Sequence, residues 1–145
     1  MSATPWPDEG LVITDAGLET WLQFQRGVDL PAFAAYPLLD TEEGRALLDQ
    51  YYAPFLSLAA AAGAGIDLET PTWRANPRWA ATLGHDTEVL ARLLTDAVAF
   101  VAGFRSRWSG DQPFLVGGTI GPRGDGYVVG DMGVREGDGG LPPFG

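Results

Sequence analysis

The chain has 145 residues, 46% hydrophobic and 19% charged, the balance of a soluble folded domain and not of a disordered segment. Its 19 acidic residues outweigh 9 basic ones to give a net charge of −10, which repels a phosphate backbone and argues against nucleic acid as a partner. Cysteine is absent, which excludes disulfides, thiolate metal ligands and a cysteine nucleophile.

Residues 1–10 are polar and Pro-rich, and the sequence predicts a flexible lead-in there. They carry neither the basic nor the apolar segment of a signal peptide, and no apolar run nears the length of a membrane span. The chain therefore reads as cytoplasmic, with no membrane partner. Leu11 to Thr14 is a short β-prone run, broken by the turn-forming Asp15-Ala16-Gly17. Leu18 to Arg26 supports a helical turn or two, and Leu30 to Leu39 is an apolar, Pro-punctuated connection without a clear period.

Asp40 followed by Glu43 resembles a capping box, and Leu47, Tyr51, Phe55, Leu58 and Ala62 then recur at helical spacing up to Gly63, with Pro54 as a candidate kink. Next, Ile66 and Leu68 alternate with Asp67 and Glu69 in the period of two of a strand with unlike faces. Pro71 cannot donate to a ladder, so that strand should end at about Thr70. Asp86 can cap a second helix, whose Leu90, Leu93, Ala97, Val101 and Phe104 form one stripe. Phe114 to Val116 is a third strand, running into a Gly-rich stretch from Gly117 to Tyr127. From Val128 onward the chain is a Gly- and Pro-rich mixture that predicts no regular element.

The order strand, helix, strand, helix, strand, with long connections, predicts an α/β architecture with a parallel sheet. In such folds ligands bind beyond the carboxyl ends of the strands, where Asp15, Glu69 and Asp125 all fall. These carboxylates are candidates for holding an ammonium group or for proton transfer. The competing reading gives each a local role, in which Asp15 caps the next helix, Glu69 pairs with Arg74, and Asp125 closes a turn. The Gly-rich stretch lacks the Gly-Lys-Ser/Thr ending of a phosphate loop. His85, the single histidine, sits beside a helix start and reads as a capping residue. Trp73 and Trp79 flank a turn, where they either wall a pocket or pack the loop.

Three stretches, Val12-Ile13-Thr14-Asp15-Ala16-Gly17-Leu18-Glu19-Thr20, Leu68-Glu69-Thr70-Pro71-Thr72-Trp73-Arg74-Ala75-Asn76 and Gly118 to Tyr127, together resemble the homocysteine S-methyltransferase family. The resemblance spans residues 11–127 and implies the first three βα units of a (β/α)8 TIM barrel, an α/β fold here followed by an irregular Gly-rich C-terminal tail at 128–145. It implies transfer of a methyl group from a donor such as S-methylmethionine or S-adenosylmethionine to the homocysteine thiol, giving methionine. By the same resemblance, Asp15, Ala16 and Gly17, together with Glu69, Thr70 and Arg74, border the homocysteine site; no catalytic residue is assigned. The complete family enzyme uses zinc held by cysteines, so no metal is expected for this cysteine-free chain.

Two functional readings follow. One is an inactive amino-terminal fragment of such an enzyme, its tail reading like out-of-frame coding; the other is a non-catalytic ligand-binding or interaction module. Unpaired strand edges lead the fragment to self-associate, whereas a monodisperse monomer would argue for the self-sufficient module.

Overall fold

The computed structural model describes residues 10–127. The expected tail at 128–145 and all but Gly10 of the expected lead-in lie outside the described residues.

Strands β1 (Val12–Thr14), β2 (Gly65–Glu69) and β3 (Phe114–Gly117) form one parallel sheet in the order β1-β2-β3. Ile13 is level with Ile66, and Ile66 with Phe114. Side chains alternate along a strand, so Ile13, Ile66, Leu68, Phe114 and Val116 turn to one side and join the core. Thr14, Asp67 and Glu69 belong to the opposite face.

Helices α2 (Glu42–Ala62) and α4 (Thr87–Gly103) lie together on the apolar side. The Tyr52 ring of α2 meets Phe100 of α4 at 6.4 Å and Phe104, just past its end, at 5.5 Å. Leu90, Leu93, Ala97, Val101 and Phe104 are buried, so the predicted stripe of α4 is the one that packs. Asp86 caps that helix by accepting from the Val89 N–H at 2.9 Å. Helix α2 runs unbroken through Pro54 and stops at Gly63, whose φ of 64° suits a residue without a β-carbon.

Two local expectations for α2 are corrected. Its cap is Thr41, which accepts from the Gly44 N–H, while Asp40 pairs with Arg92 instead. Of the expected stripe, Tyr51 is buried and Leu47 and Phe55 pack half-buried against the core, but the buried face also takes in Leu48, Tyr52, Leu56 and Ala59, and Leu58 and Ala62 are exposed. The helix is apolar on adjoining faces, so spacing alone leaves its rotation open, and the partners of its tyrosine hydroxyls settle it. The helical turns expected over Leu18 to Arg26 form as α1 (Leu18–Thr20) and a π-helical turn (Trp21–Gln25), while one connection holds more helix than expected, since α3 (Pro77–Thr82) forms inside what reads as a long exit loop. Two 3-10 turns, Pro31–Phe33 and Tyr36–Asp40, occupy the apolar connection.

The larger correction concerns architecture. A partial (β/α)8 TIM barrel of three βα units is not what forms: the strands, of 3, 5 and 4 residues, make an open sheet, and helix dominates the chain around it. Among the described residues there is no further strand to continue the sheet. Barrel closure needs about eight strands tilted in consistent register. Alternation of strand and helix is common to open sheets and barrels, and it therefore cannot predict closure.

Candidate functional site

The loop leaving β1 folds back over the end of β2. Gly17, at φ 75°, takes the left-handed conformation that turns the chain into α1, which sets Asp15 above the second strand. Asp15 Oδ1 accepts from the Glu69 N–H at 2.7 Å, and Oδ2 from the Tyr51 hydroxyl at 3.0 Å. The neighbouring Tyr52 donates its hydroxyl to the Glu69 carbonyl at 2.6 Å. Two adjacent tyrosines of α2 thus tie the helix to both strand exits. Their rings look like plain core residues in sequence; the signal was that a buried tyrosine hydroxyl needs a partner.

The loop after β3 is stitched to the same edge. Thr119 donates its hydroxyl to Glu69 Oε2 at 2.5 Å, and its carbonyl accepts from Thr72 at 2.8 Å. The Thr70 and Thr72 hydroxyls are themselves 2.8 Å apart. A cavity of about 350 Å3 opens above this edge, lined by Asp15, Ala16, Gly17, Glu19, Glu69, Thr70 and Thr119. Phe33, Trp73 and Tyr127 wall it, with ring centroids 5.9 to 6.4 Å apart. Ala32 and Phe33 both have positive φ, 56° and 54°. For residues with a β-carbon this costs on the order of 1 to 3 kcal/mol each, strain that the surrounding packing must hold in place.

Five of the residues expected at the site, Asp15, Ala16, Gly17, Glu69 and Thr70, are brought together here. Arg74 is not among the lining residues of this cavity; it is buried nearby, bound to the Gly124 carbonyl and to Asp125. Asp125 Oδ1 also accepts from the Tyr127 N–H at 3.0 Å, which closes the turn as its local reading has it, whereas the pairing of Glu69 with Arg74 does not form among the described residues, Asp125 taking that place. His85 is also elsewhere, its Nδ1 3.0 Å from the Tyr36 hydroxyl. Sequence reasoning missed Glu19 as a site residue, although its place in the turn directly after Gly17 was a usable signal.

Among the described residues, Asp15, Glu19 and Glu69 line the cavity and no arginine does, which makes it electronegative. Burial pushes the Asp15 carboxyl up, against the lowering effect of its bonds to the Glu69 N–H and Tyr51. Burial likewise raises Glu19, with the Asp15 charge adding to it and Arg74 opposing. Asp67, on the opposite face from the helices, is also raised, first by burial and then by the Glu69 charge. Its Oδ1 has no hydrogen-bond partner among the described residues, although the residue is only 7% exposed.

These shifts have a consequence for stability. Each of the three carboxyls holds its proton more tightly in the folded than in the unfolded chain. The stability they contribute is therefore full below the ordinary carboxylate range and is lost as pH rises through their raised values. The melting temperature is expected to climb as pH is lowered from neutrality toward that range. Asp67→Asn, which removes the buried charge, should raise the neutral-pH melting temperature by about 4 °C, the shift of roughly 1 kcal/mol in a domain of this size, and should flatten the pH dependence. Scanning calorimetry of both proteins across pH checks this, and an unchanged slope in the variant would show that Asp67 stays ionised.

The zinc that the motif resemblance implies does not fit these residues. The sequence has no cysteine, and among the described residues no three His, Asp or Glu side chains are grouped to hold a metal ion. Among the described residues, too, no helix is long and apolar enough to cross a membrane. Comparison with protein-family models, curated proteins and solved structures found no match to this chain. The functional reading rests on the residues of the site.

Proposed function

We propose that the chain is a homocysteine S-methyltransferase-like protein that binds homocysteine without transferring a methyl group at an enzymatic rate. The observation that carries this reading is the convergence of the Asp15-Ala16-Gly17 loop and the Glu69-Thr70 exit on one cavity. Three carboxylates with no arginine among the lining residues favour a ligand with an ammonium group. The wall of Phe33, Trp73 and Tyr127 suits a thiol or thioether, which makes favourable contacts with aromatic rings.

Binding without transfer follows from acid-base chemistry. A free alkyl thiol has a pKa of about 8.5 and stays mostly protonated near neutral pH. The tyrosine hydroxyls near the site cannot remove that proton, because burial and the surrounding carboxylates push Tyr51 and Tyr52 far above their ordinary value. Asp15 already accepts two hydrogen bonds. Among the described residues no group of side chains would hold a metal to deprotonate the thiol.

Calorimetric titration tests the proposal, comparing homocysteine with 4-mercaptobutyrate, which lacks the ammonium. Homocysteine should bind at least about tenfold more tightly, a difference of about 1.4 kcal/mol. Equal affinities would remove the proposed role of the carboxylates. Methionine formation from S-methylmethionine, together with stoichiometric zinc retained through dialysis, would overturn the statement that transfer is absent.

A further inference from the structure

A second cavity, of about 490 Å3, shares Phe33 and Tyr127 with the acidic one and is lined by Phe24, Arg74, Trp79 and Asp125 as well. Its chemistry is different. Arg74 is 3% exposed, and its guanidinium lies between the Trp73 and Trp79 rings, 4.4 and 4.2 Å from their centroids. Stacking of this kind fixes the plane of the charge and the direction of its N–H groups.

A guanidinium has five N–H donors to satisfy, and here the partners are few. The Gly124 carbonyl and Asp125 Oδ1 accept at 3.3 and 3.2 Å, the long end of the range, while Arg74 Nε has no partner among the described residues. Among them the indole N–H of Trp79, on the same cavity, has none either. The counter-charge comes from Asp125 alone among the ion pairs of Arg74 in the described residues, and its side chain is 39% exposed on the loop after β3. A buried, oriented cation is therefore matched by a carboxylate that solvent can exchange. Around it stand aromatic rings, two of them, Phe24 and Tyr127, largely exposed.

We propose that this cavity is a binding site for a small aryl carboxylate, which replaces Asp125 on Arg74 and lays its ring among Phe24, Phe33, Trp79 and Tyr127. A ligand carboxylate can meet the guanidinium through two parallel bonds, which Asp125 Oδ1 alone does not. The apolar rings reward a ligand ring and discriminate against bare anions. This site adjoins the proposed homocysteine pocket across Phe33 and Tyr127, but its anchor is Arg74 and not the Asp15, Glu19 and Glu69 carboxylates, so the loss of one ligand's binding is distinguishable from the loss of the other's.

Phenylacetate and 2-phenylethanol, which differ in the carboxylate, are the probes for calorimetry on the full chain, with tryptophan emission as a second readout. Phenylacetate is expected to bind at least about tenfold more tightly than the alcohol. Asp125→Asn removes the competing charge while keeping an oxygen for the Tyr127 N–H, which Asp125 Oδ1 accepts at 3.0 Å, and should tighten phenylacetate binding about fivefold, as expected when a competing closed state is lifted. Asp111→Ala removes one negative charge at the other end of β3 and should leave it unchanged. Phe24→Ala, at a residue 72% exposed, should weaken it without unfolding the chain. Equal affinity for acid and alcohol, no binding of either, or a loss or no change of affinity in Asp125→Asn would overturn the proposal. So would equal tightening by Asp111→Ala.

Discussion

Alanine at position 44 is expected to disrupt the fold, although the change adds one methyl group near the start of a helix. A β-carbon there would lie 2.1 Å from the Leu38 carbonyl oxygen and 2.7 Å from the Leu38 carbonyl carbon and Cα. All of these are backbone atoms, so no rotamer change relieves the contact. Leu38 belongs to the 3-10 turn that buries Tyr36 and Leu39 completely, and moving the turn would pull both from the core. Overpacking a site that cannot yield costs about 3 kcal/mol or more, a large part of a typical domain's total stability. Urea unfolding should show a much lower midpoint for Gly44→Ala. Gly103→Ala is the matched control: its helical β-carbon meets nothing within 4 Å, and it should stabilise by about 0.5 to 1 kcal/mol. A wild-type midpoint for Gly44→Ala would mean that the turn and α2 do not press together.

The second large effect separates two roles of Asp15. Asp15→Ala leaves the buried Glu69 N–H and the Tyr51 hydroxyl without their acceptor. Each unsatisfied donor costs about 1 to 3 kcal/mol, so a loss of roughly 3 kcal/mol is expected. Asp15→Asn keeps an oxygen for the Glu69 N–H, and the Tyr51 hydroxyl can rotate to accept from the amide. Its stability should therefore stay at or above that of the parent, because the desolvated charge is gone. Homocysteine affinity should nevertheless fall about tenfold or more, since an amide cannot attract an ammonium as a carboxylate does. Denaturant melts and titrations on both variants check the pair of outcomes. If Asp15→Asn binds homocysteine as the parent does, Asp15 is a structural clamp and nothing more.

Much of the local structure was legible because it depends on neighbours in sequence. Asp86 reads as a cap and acts as one, since a cap needs only a short side chain and the next turn of backbone. The stripe from Leu90 to Phe104 packs as spaced, even though Leu94 and Val98 leave a second apolar strip of α4 exposed. The meeting of Asp15, Glu69 and Thr70 was foreseeable in outline, as parallel strands in one sheet deliver their exits to one edge.

What the sequence by itself determined, then, is the run of strands and helices, the parallel sheet and the edge where polar residues gather. The tertiary structure alone decided that the sheet stays open, which face of α2 is buried, that Tyr51 and Tyr52 clamp the two strand exits, and that Arg74 turns away from the acidic cavity to stack between Trp73 and Trp79. The difference is physical. Capping and periodicity are settled within a few residues of backbone, whereas closure, helix rotation and the pairing of a buried charge depend on partners such as Asp15 and Tyr51, 36 positions apart, that meet only once the chain has packed.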